Sequence, residues 1–151
     1  MRCDAGPLLR TLQKVALEGG DRDAMGRTLV KELRSTFPQA SWVGIYWLEG
    51  QELVLGPYLG PPTEHTRIPV GVGVCGTAVA EDEDQIVDDV RQRPNYLACS
   101  AKVRSEIVVL IRGSRGVVGQ LDLDSEEVAA FSEDDHCVLQ AIANSFGGLP
   151  G

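Results

Sequence analysis

The feature of this sequence that most constrains its fold is a pair of strand-like segments, residues 105–112 and 117–124. Both segments are rich in Val, Ile and Leu, which suit a half-buried pleated surface. The four residues that join them, at positions 113–116, read Gly-Ser-Arg-Gly and supply two glycines for a turn. The spacing therefore predicts an antiparallel hairpin, around which the other elements must be arranged.

The other predicted elements complete an α+β domain. Apolar residues recur at helical spacing over residues 7–18 and 23–37, and a last helix is predicted to begin at Ser132, where Asp135 gives a capping box. Between these helices the patterns predict a loop over 56–66, a short helix over 75–80, and strands over 42–48, 52–55, 67–70 and 85–87.

The predicted element order, α-α-β-β-β-α-β-β-β-α, has hairpin links and no regular βαβ alternation. It predicts a central antiparallel sheet of about six strands with the N- and C-terminal helices packed on one face. No repeat or linker divides the 151 residues, so we expect a single domain over residues 1–151.

The charge of the chain bears on its partners and its location. A net charge of −8 disfavours nucleic acids and anionic membranes as partners, because both are bound mainly by positive side chains. No apolar run is long enough to span a bilayer, and the first residues lack the apolar core of a secretory signal. We therefore expect a cytoplasmic protein.

Four cysteines are candidates for chemistry: Cys3, Cys75, Cys99 and Cys137. A standing disulfide is not expected in a reducing compartment, so each is an inert core residue, a metal ligand or a redox-active thiol. Cys137 borders the apolar stripe of the last helix, which favours core packing. No CxxC pair is present, and the spacing of His65, Cys75 and Cys99 fits no compact zinc motif.

Cys75 and Cys99 have the most informative surroundings. Residues 71–76 read Gly-Val-Gly-Val-Cys-Gly, a formal GxGxxG match that lacks the long helix and the later acid of a dinucleotide site. We expect these glycines to bring backbone N–H groups into a pocket and to place Cys75 at a helix N-terminus, which favours a thiolate. Cys99 lies in an irregular stretch, where it is either a reactive thiol or a small buried hydrophobe.

Three acids in the strongest strands are candidate ligand-binding groups. Asp122 and Asp124 alternate with Leu123, so both face one side of the sheet, and Glu106 lies in the preceding strand. Three explanations remain open: an ammonium-bearing ligand, solvated strand ends, or a divalent metal ion. Trp42 and Tyr46 either line a pocket or belong to the core.

The chain resembles the free methionine-(R)-sulfoxide reductases, which are single-domain GAF proteins, over roughly residues 33–146. The segments that carry the resemblance read SWVGIY at 41–46, LVLGPY at 53–58, RIPVGVGVCGTA at 67–78, AC at 98–99, SEIV at 105–108 and GQLDLDS at 119–125. The resemblance implies a GAF fold whose pocket binds one free amino acid.

The resemblance also implies roles for particular residues. Cys99 is similar to the catalytic thiol, which becomes a sulfenic acid, and Cys75 is similar to the thiol that then closes a disulfide with it. Thioredoxin would reduce that disulfide, and no bound cofactor or metal is expected. The remaining assignments are the carboxylates that hold the ammonium group and the sulfoxide oxygen (Glu106, Asp122, Asp124) and the aromatic wall at the methyl-sulfur end (Trp42, Tyr46).

One departure from the family pattern affects the recycling step. Relatives commonly have a further cysteine ahead of the RIP segment, where this chain has Glu64-His65-Thr66. Recycling would then use Cys75 or an external thiol directly. Two alternatives to the reductase remain, a ligand-sensing GAF module without chemistry and a thiol redox sensor. The first predicted helix offers a surface on which a homodimer could form.

Overall fold

The computed structural model describes residues 6–93 and 102–147 of the chain, and it contains the elements in the predicted order. The helices are α1 (Gly6–Leu17), α2 (Arg22–Thr36), α3 (Gly73–Glu81) and α4 (Glu133–Gly147), with a 3₁₀ turn at Val90–Gln92. The strands are β1 (Trp42–Glu49), β2 (Glu52–Leu59), β3 (Arg67–Pro69), β4 (Gln85–Val87), β5 (Ser105–Gly113) and β6 (Gly116–Ser125).

The six strands form one sheet in the order β3-β2-β1-β6-β5-β4, and every neighbouring pair is antiparallel. The predicted hairpin between β5 and β6 is confirmed, with Glu106 opposite Asp124 and Val108 opposite Asp122. β6 also pairs with β1, where Gly44 lies opposite Asp122 and therefore next to it on the same face. Residues on these three central strands can thus meet on one face of the sheet.

The two faces of the sheet have different coverings. Helices α2 and α4 cover one face, with α1 packed against both helices, and the main core there includes Leu29, Ile45, Val109 and Leu123. Helix α3 lies against the other face with a second apolar cluster that contains Trp42, Tyr46, Cys75 and Val108 among others. The predicted α+β class, with the terminal helices on one face, is confirmed.

The helix ends show why the periodic segments stop where they do. Asp21 caps α2 by accepting a hydrogen bond from the Ala24 N–H at 2.9 Å. The predicted capping box of α4 is confirmed, because Ser132 and Asp135 each accept a hydrogen bond from the other's backbone N–H, at 3.1 and 2.9 Å. The buried stripe of α4 is centred on Leu139, which the sequence analysis did not single out.

The predicted loop over residues 56–66 is wrong in its first part, because β2 continues to Leu59. Strand pairing is irregular there: Gly56 and Pro57 oppose the single residue Ile45 of β1. Such a bulge removes the need for a backbone donor, so it accommodates a proline inside a strand. Among the described residues, no helix is both long enough and apolar enough to cross a membrane.

Candidate functional site

Three carboxylates are buried on the sheet face that α3 covers. Glu106 of β5 is 5% exposed, and Asp122 and Asp124 of β6 are each 1% exposed. The interpretation of these acids as solvated strand ends is therefore wrong. Burying carboxylates is costly unless other groups compensate their charge, so this cluster needs a partner or shared protons.

Cys75 joins these carboxylates from the first turn of α3. Its thiol donates a hydrogen bond to Asp122 Oδ2 at 3.3 Å, and its Sγ lies 3.9 Å from Glu106 Oε2. Gln120 lies two residues before Asp122, on the same face of β6. Its Nε2 donates a hydrogen bond to the backbone carbonyl of Cys75 at 3.0 Å. The thiol is thus held against the cluster by both its side chain and its backbone.

The glycines around Cys75 have structural roles that account for the formal GxGxxG match. Gly71 and Gly73 have φ values of +94° and +65°, in the region that favours glycine. A Cβ on Gly76 would lie 2.6 Å from the carbonyl oxygen of Pro69, so only glycine lets α3 approach the end of β3 this closely. The segment is a tight turn that seats Cys75.

The expectation that its helix position makes Cys75 a thiolate is wrong. Burial raises the pKa of the Cys75 thiol well above its usual value, and the charges of Asp122, Glu106 and Asp124 raise it further. A helix N-terminus contributes about 0.3–1 kcal/mol toward an anion. A negative charge at about 4 Å opposes it by about 4 kcal/mol at an effective dielectric constant of 20. The repulsion therefore outweighs the helix dipole.

Asp122 is a member of the cluster whose surroundings favour the protonated carboxyl group. Burial raises its pKa, while hydrogen bonds from Glu106 and Cys75 work in the opposite direction. Its Oδ1 atom has no hydrogen-bond partner among the described residues. An acid in this situation can hold a proton at neutral pH more readily than an exposed aspartate can.

The predicted aromatic pair, Trp42 and Tyr46, lies on the face of the sheet that Cys75 and α3 cover. The Trp42 and Tyr46 ring centroids are 6.3 Å apart, and Trp42 stacks on Tyr58 at 5.5 Å. The Tyr46 hydroxyl donates a hydrogen bond to the backbone carbonyl of His65 at 2.8 Å. Tyr58 and Gln120 were missed by the sequence analysis, although the period-two alternation of Gln120 with Asp122 and Asp124 was a usable signal.

Tyr46, Cys75, Glu106 and Asp122 border a small cavity of ≈ 10 Å³. Its described lining residues are Tyr46, His65, Ile68, Val72, Gly73, Val74, Cys75, Glu106 and Asp122. A space of this size holds about one water molecule. A wider groove of ≈ 370 Å³ along α3, lined by Thr77 and Arg93 among others, contains none of the three carboxylates.

Of the other three cysteines, only Cys137 lies within the described residues. Cys99, the candidate nucleophile, and Cys3 lie outside the described residues. Cys137 is half-buried in α4 and disulfide-bonded, so its assignment as an inert core thiol is wrong, as is the expectation of no standing disulfide. It borders the buried stripe of α4 instead of belonging to it. Cys75 is a free thiol.

Comparisons with known proteins agree with this architecture. Residues 20–148 match the family model described as GAF domain. Protein YtsP of Bacillus subtilis is 37% identical over 140 residues, which is 91% of this chain and 85% of that protein. The free methionine-R-sulfoxide reductase of Escherichia coli is 43% identical over 102 residues, 68% of this chain and 61% of that enzyme.

A solved structure extends the comparison to a protein with bound substrate. It is the X-ray structure of free methionine-R-sulfoxide reductase from Neisseria meningitidis in complex with its substrate. The match has a TM-score of 0.85 and 37% sequence identity, and covers 93% of this chain and 84% of that one.

Proposed function

Because this chain belongs to the GAF domain family, and its relatives include proteins named free methionine-R-sulfoxide reductase, we propose that it reduces free L-methionine-(R)-sulfoxide to methionine. The observation that carries the proposal is the buried meeting of the Cys75 thiol with Asp122 and Glu106. A free amino acid supplies the ammonium group that such a cluster of buried carboxylates requires.

The raised pKa of Cys75 supports a division of labour between two thiols. A buried, protonated thiol is a poor nucleophile toward a sulfoxide, so we assign the first attack to Cys99. Cys99 attacks the sulfoxide sulfur, the S–O bond breaks, and the oxygen passes to Cys99 as a sulfenic acid while methionine leaves. The proton that the oxygen needs comes from the carboxylate cluster, where Asp122 has the raised pKa.

Cys75 then acts as the resolving thiol. Its Sγ attacks the sulfenic sulfur of Cys99, a disulfide forms, and water leaves with the Cys75 proton. Asp122, whose Oδ2 already accepts the hydrogen bond from this thiol, is positioned to take that proton in transit. A dithiol such as reduced thioredoxin restores both thiols by disulfide exchange.

Substrate binding on this proposal requires the cavity to widen. The present volume of ≈ 10 Å³ holds about one water molecule, far less than an amino acid occupies. The cavity walls include the residues around α3 and His65, while Glu106 and Asp122 are fixed in the central strands. We infer that the central strands act as the rigid floor and that the cavity widens by movement of its described walls, around α3 and at His65.

A coupled assay with thioredoxin, thioredoxin reductase and NADPH tests the proposal on each epimer of free methionine sulfoxide. The freshly reduced protein is expected to consume NADPH with the R epimer, and Cys99→Ser is expected to abolish turnover. Cys75→Ser is expected to release one equivalent of methionine and then stop. A melting-temperature shift with methionine sulfoxide, but no turnover, would refute the reductase and favour a sensing role.

A further inference from the structure

The donors around Cys75 have the spacing of a tetrahedral metal site. The Cys75 sulfur and one carboxylate oxygen each from Glu106 and Asp122 lie within 4.8 Å of one another. In a tetrahedral zinc site with Zn–S of about 2.3 Å and Zn–O of about 2.0 Å, sulfur and oxygen are about 3.5 Å apart. The two observed S···O distances, 3.3 and 3.9 Å, lie on either side of that value.

A second observation concerns the buried side chain of Asp122. Asp122 is 1% exposed and lines the cavity, and its Oδ1 atom has no hydrogen-bond partner among the described residues. No lysine, arginine or histidine within residues 6–93 and 102–147 forms an ion pair with Asp122. A buried carboxylate in this state gains from any positive charge that reaches it.

The donor set selects the kind of ion. One thiolate with two carboxylates suits Zn²⁺, whereas Mg²⁺ and Ca²⁺ require six or more oxygen ligands. The adjoining cavity of ≈ 10 Å³ has room for about one water molecule, which supplies a fourth ligand. We propose that Cys75, Glu106 and Asp122 bind one Zn²⁺ in the reduced protein, with a water molecule completing the tetrahedron.

The proposed site has two consequences. Zinc replaces the thiol proton and any proton that Asp122 carries, so binding releases at least one proton to solvent. Oxidation of Cys75 to a disulfide removes a ligand and abolishes the site. The second consequence rests on the proposed function: because Glu106 and Asp122 are also assigned to the substrate, zinc and methionine sulfoxide exclude each other. Zinc would then inhibit the reductase reversibly.

Cobalt substitution tests the metal site without any measurement of turnover. The full-length protein is reduced with a phosphine, freed of metal, and titrated with Co²⁺ while its absorption spectrum is recorded. We expect one equivalent of Co²⁺ to produce a thiolate-to-cobalt charge-transfer band and tetrahedral d–d bands, all lost when one equivalent of Zn²⁺ is added. If the reduced wild-type protein binds less than about a tenth of an equivalent of the added Zn²⁺, the proposal is overturned.

Variants assign the ligands. Cys75→Ser is expected to lose the charge-transfer band, and Asp122→Asn to weaken Co²⁺ binding at least tenfold. The matched control is Asp82→Asn, which changes an exposed acid that pairs with Arg112 outside the cluster and is expected to bind as wild type does. Circular dichroism checks that each variant is folded. An unchanged band in folded Cys75→Ser shows that another thiol binds the ion and refutes the site.

Competition separates this inference from the proposed function. In Cys99→Ser, which is expected not to turn over, methionine sulfoxide is added to the cobalt-loaded protein. Loss of the cobalt bands supports a shared site, and bands that persist at saturating sulfoxide refute the overlap. If the wild-type protein shows the cobalt bands but no reductase activity, the metal site is supported and the proposed function is refuted. If it shows reductase activity but no cobalt bands, the metal site is refuted and the proposed function is supported.

Discussion

Gly44 is the position where a single methyl group should disturb both the stability of the protein and its pocket. It lies on β1 between Trp42 and Tyr46, and the Trp42 indole folds across it. A Cβ at Gly44 would lie 2.2, 2.5 and 3.0 Å from three atoms of the Trp42 ring. The closest of these distances is more than 1 Å short of ordinary van der Waals contact at 3.4 Å, so the ring must move.

The expected cost of Gly44→Ala follows from two opposing effects. Overpacking a buried site costs about 1–3 kcal/mol. Replacing glycine by alanine gives back about 0.4–1 kcal/mol, because it restricts the unfolded chain. We expect the free energy of unfolding to fall by about 1–2 kcal/mol, and the melting temperature by roughly 2–8 °C. Because Trp42 contacts Tyr46, which lines the cavity, KM for the sulfoxide should rise more than kcat falls.

A double-mutant cycle tests whether the indole causes this cost. The three contacting atoms, Cζ2, Cζ3 and Cη2, belong to the outer ring of the indole, which phenylalanine lacks. Urea unfolding of Gly44→Ala, Trp42→Phe and the double variant should therefore show a favourable coupling of at least about 0.5 kcal/mol. Additive effects, or a Gly44→Ala protein as stable as wild type, would contradict the steric argument.

Three further predictions concern the buried Asp122 and the partly buried Asp84. Asp122→Asn removes a charge that raises the pKa of Cys75, so the Cys75 thiolate should form at lower pH than in wild type. Absorbance near 240 nm, with Cys75→Ser as the reference, measures this; an unchanged titration would show that the Asp122 charge does not affect the pKa of Cys75. The pKa of Asp122 is raised in the folded state, so its protonated form favours folding and this contribution is lost as pH rises through that pKa. Urea unfolding should accordingly show Asp122→Asn gaining stability relative to wild type between pH 4 and pH 7, and a constant difference would contradict this sign. Asp84 accepts a hydrogen bond from the Leu110 N–H and contacts His136 Nε2, both at 2.8 Å, so Asp84→Ala should lower the free energy of unfolding by about 1–3 kcal/mol; a loss below about 0.5 kcal/mol would equal that of an exposed ion pair.

Local patterns were sufficient to predict most of the fold. Two segments rich in Val, Ile and Leu, joined by a short glycine-containing link, predict an antiparallel hairpin, as β5 and β6 show. The end of β2 was mispredicted because Pro57 reads as a loop residue from sequence alone. Its place in a strand depends on a bulge opposite Ile45, and pairing irregularities involve two strands at once.

The candidate site was predictable in composition but not in electrostatics. Alternation along β6 was enough to place Asp122 and Asp124 on one face. It could not show that α3 covers that face and carries Cys75 to within 3.3 Å of Asp122. The helix-dipole argument for a thiolate was correct in sign, but it lacked the larger opposing terms, burial and neighbouring charge. Those terms arise from packing between segments distant in sequence.

The buried, protonated state of Cys75 also determines at which step of the proposed reaction this thiol reacts. Cys75 would react poorly with substrate as a thiol, but the sulfenic acid expected at Cys99 is a far stronger electrophile than a sulfoxide. An ammonium group beside Glu106 and Asp122 offsets negative charge that now holds the proton on Cys75. When methionine leaves, that compensation is lost, and the neighbouring carboxylates again hold the proton on Cys75. Disulfide formation should therefore be faster while an ammonium group occupies the cluster, and excess methionine should speed it; a slower rate in excess methionine would contradict this sign.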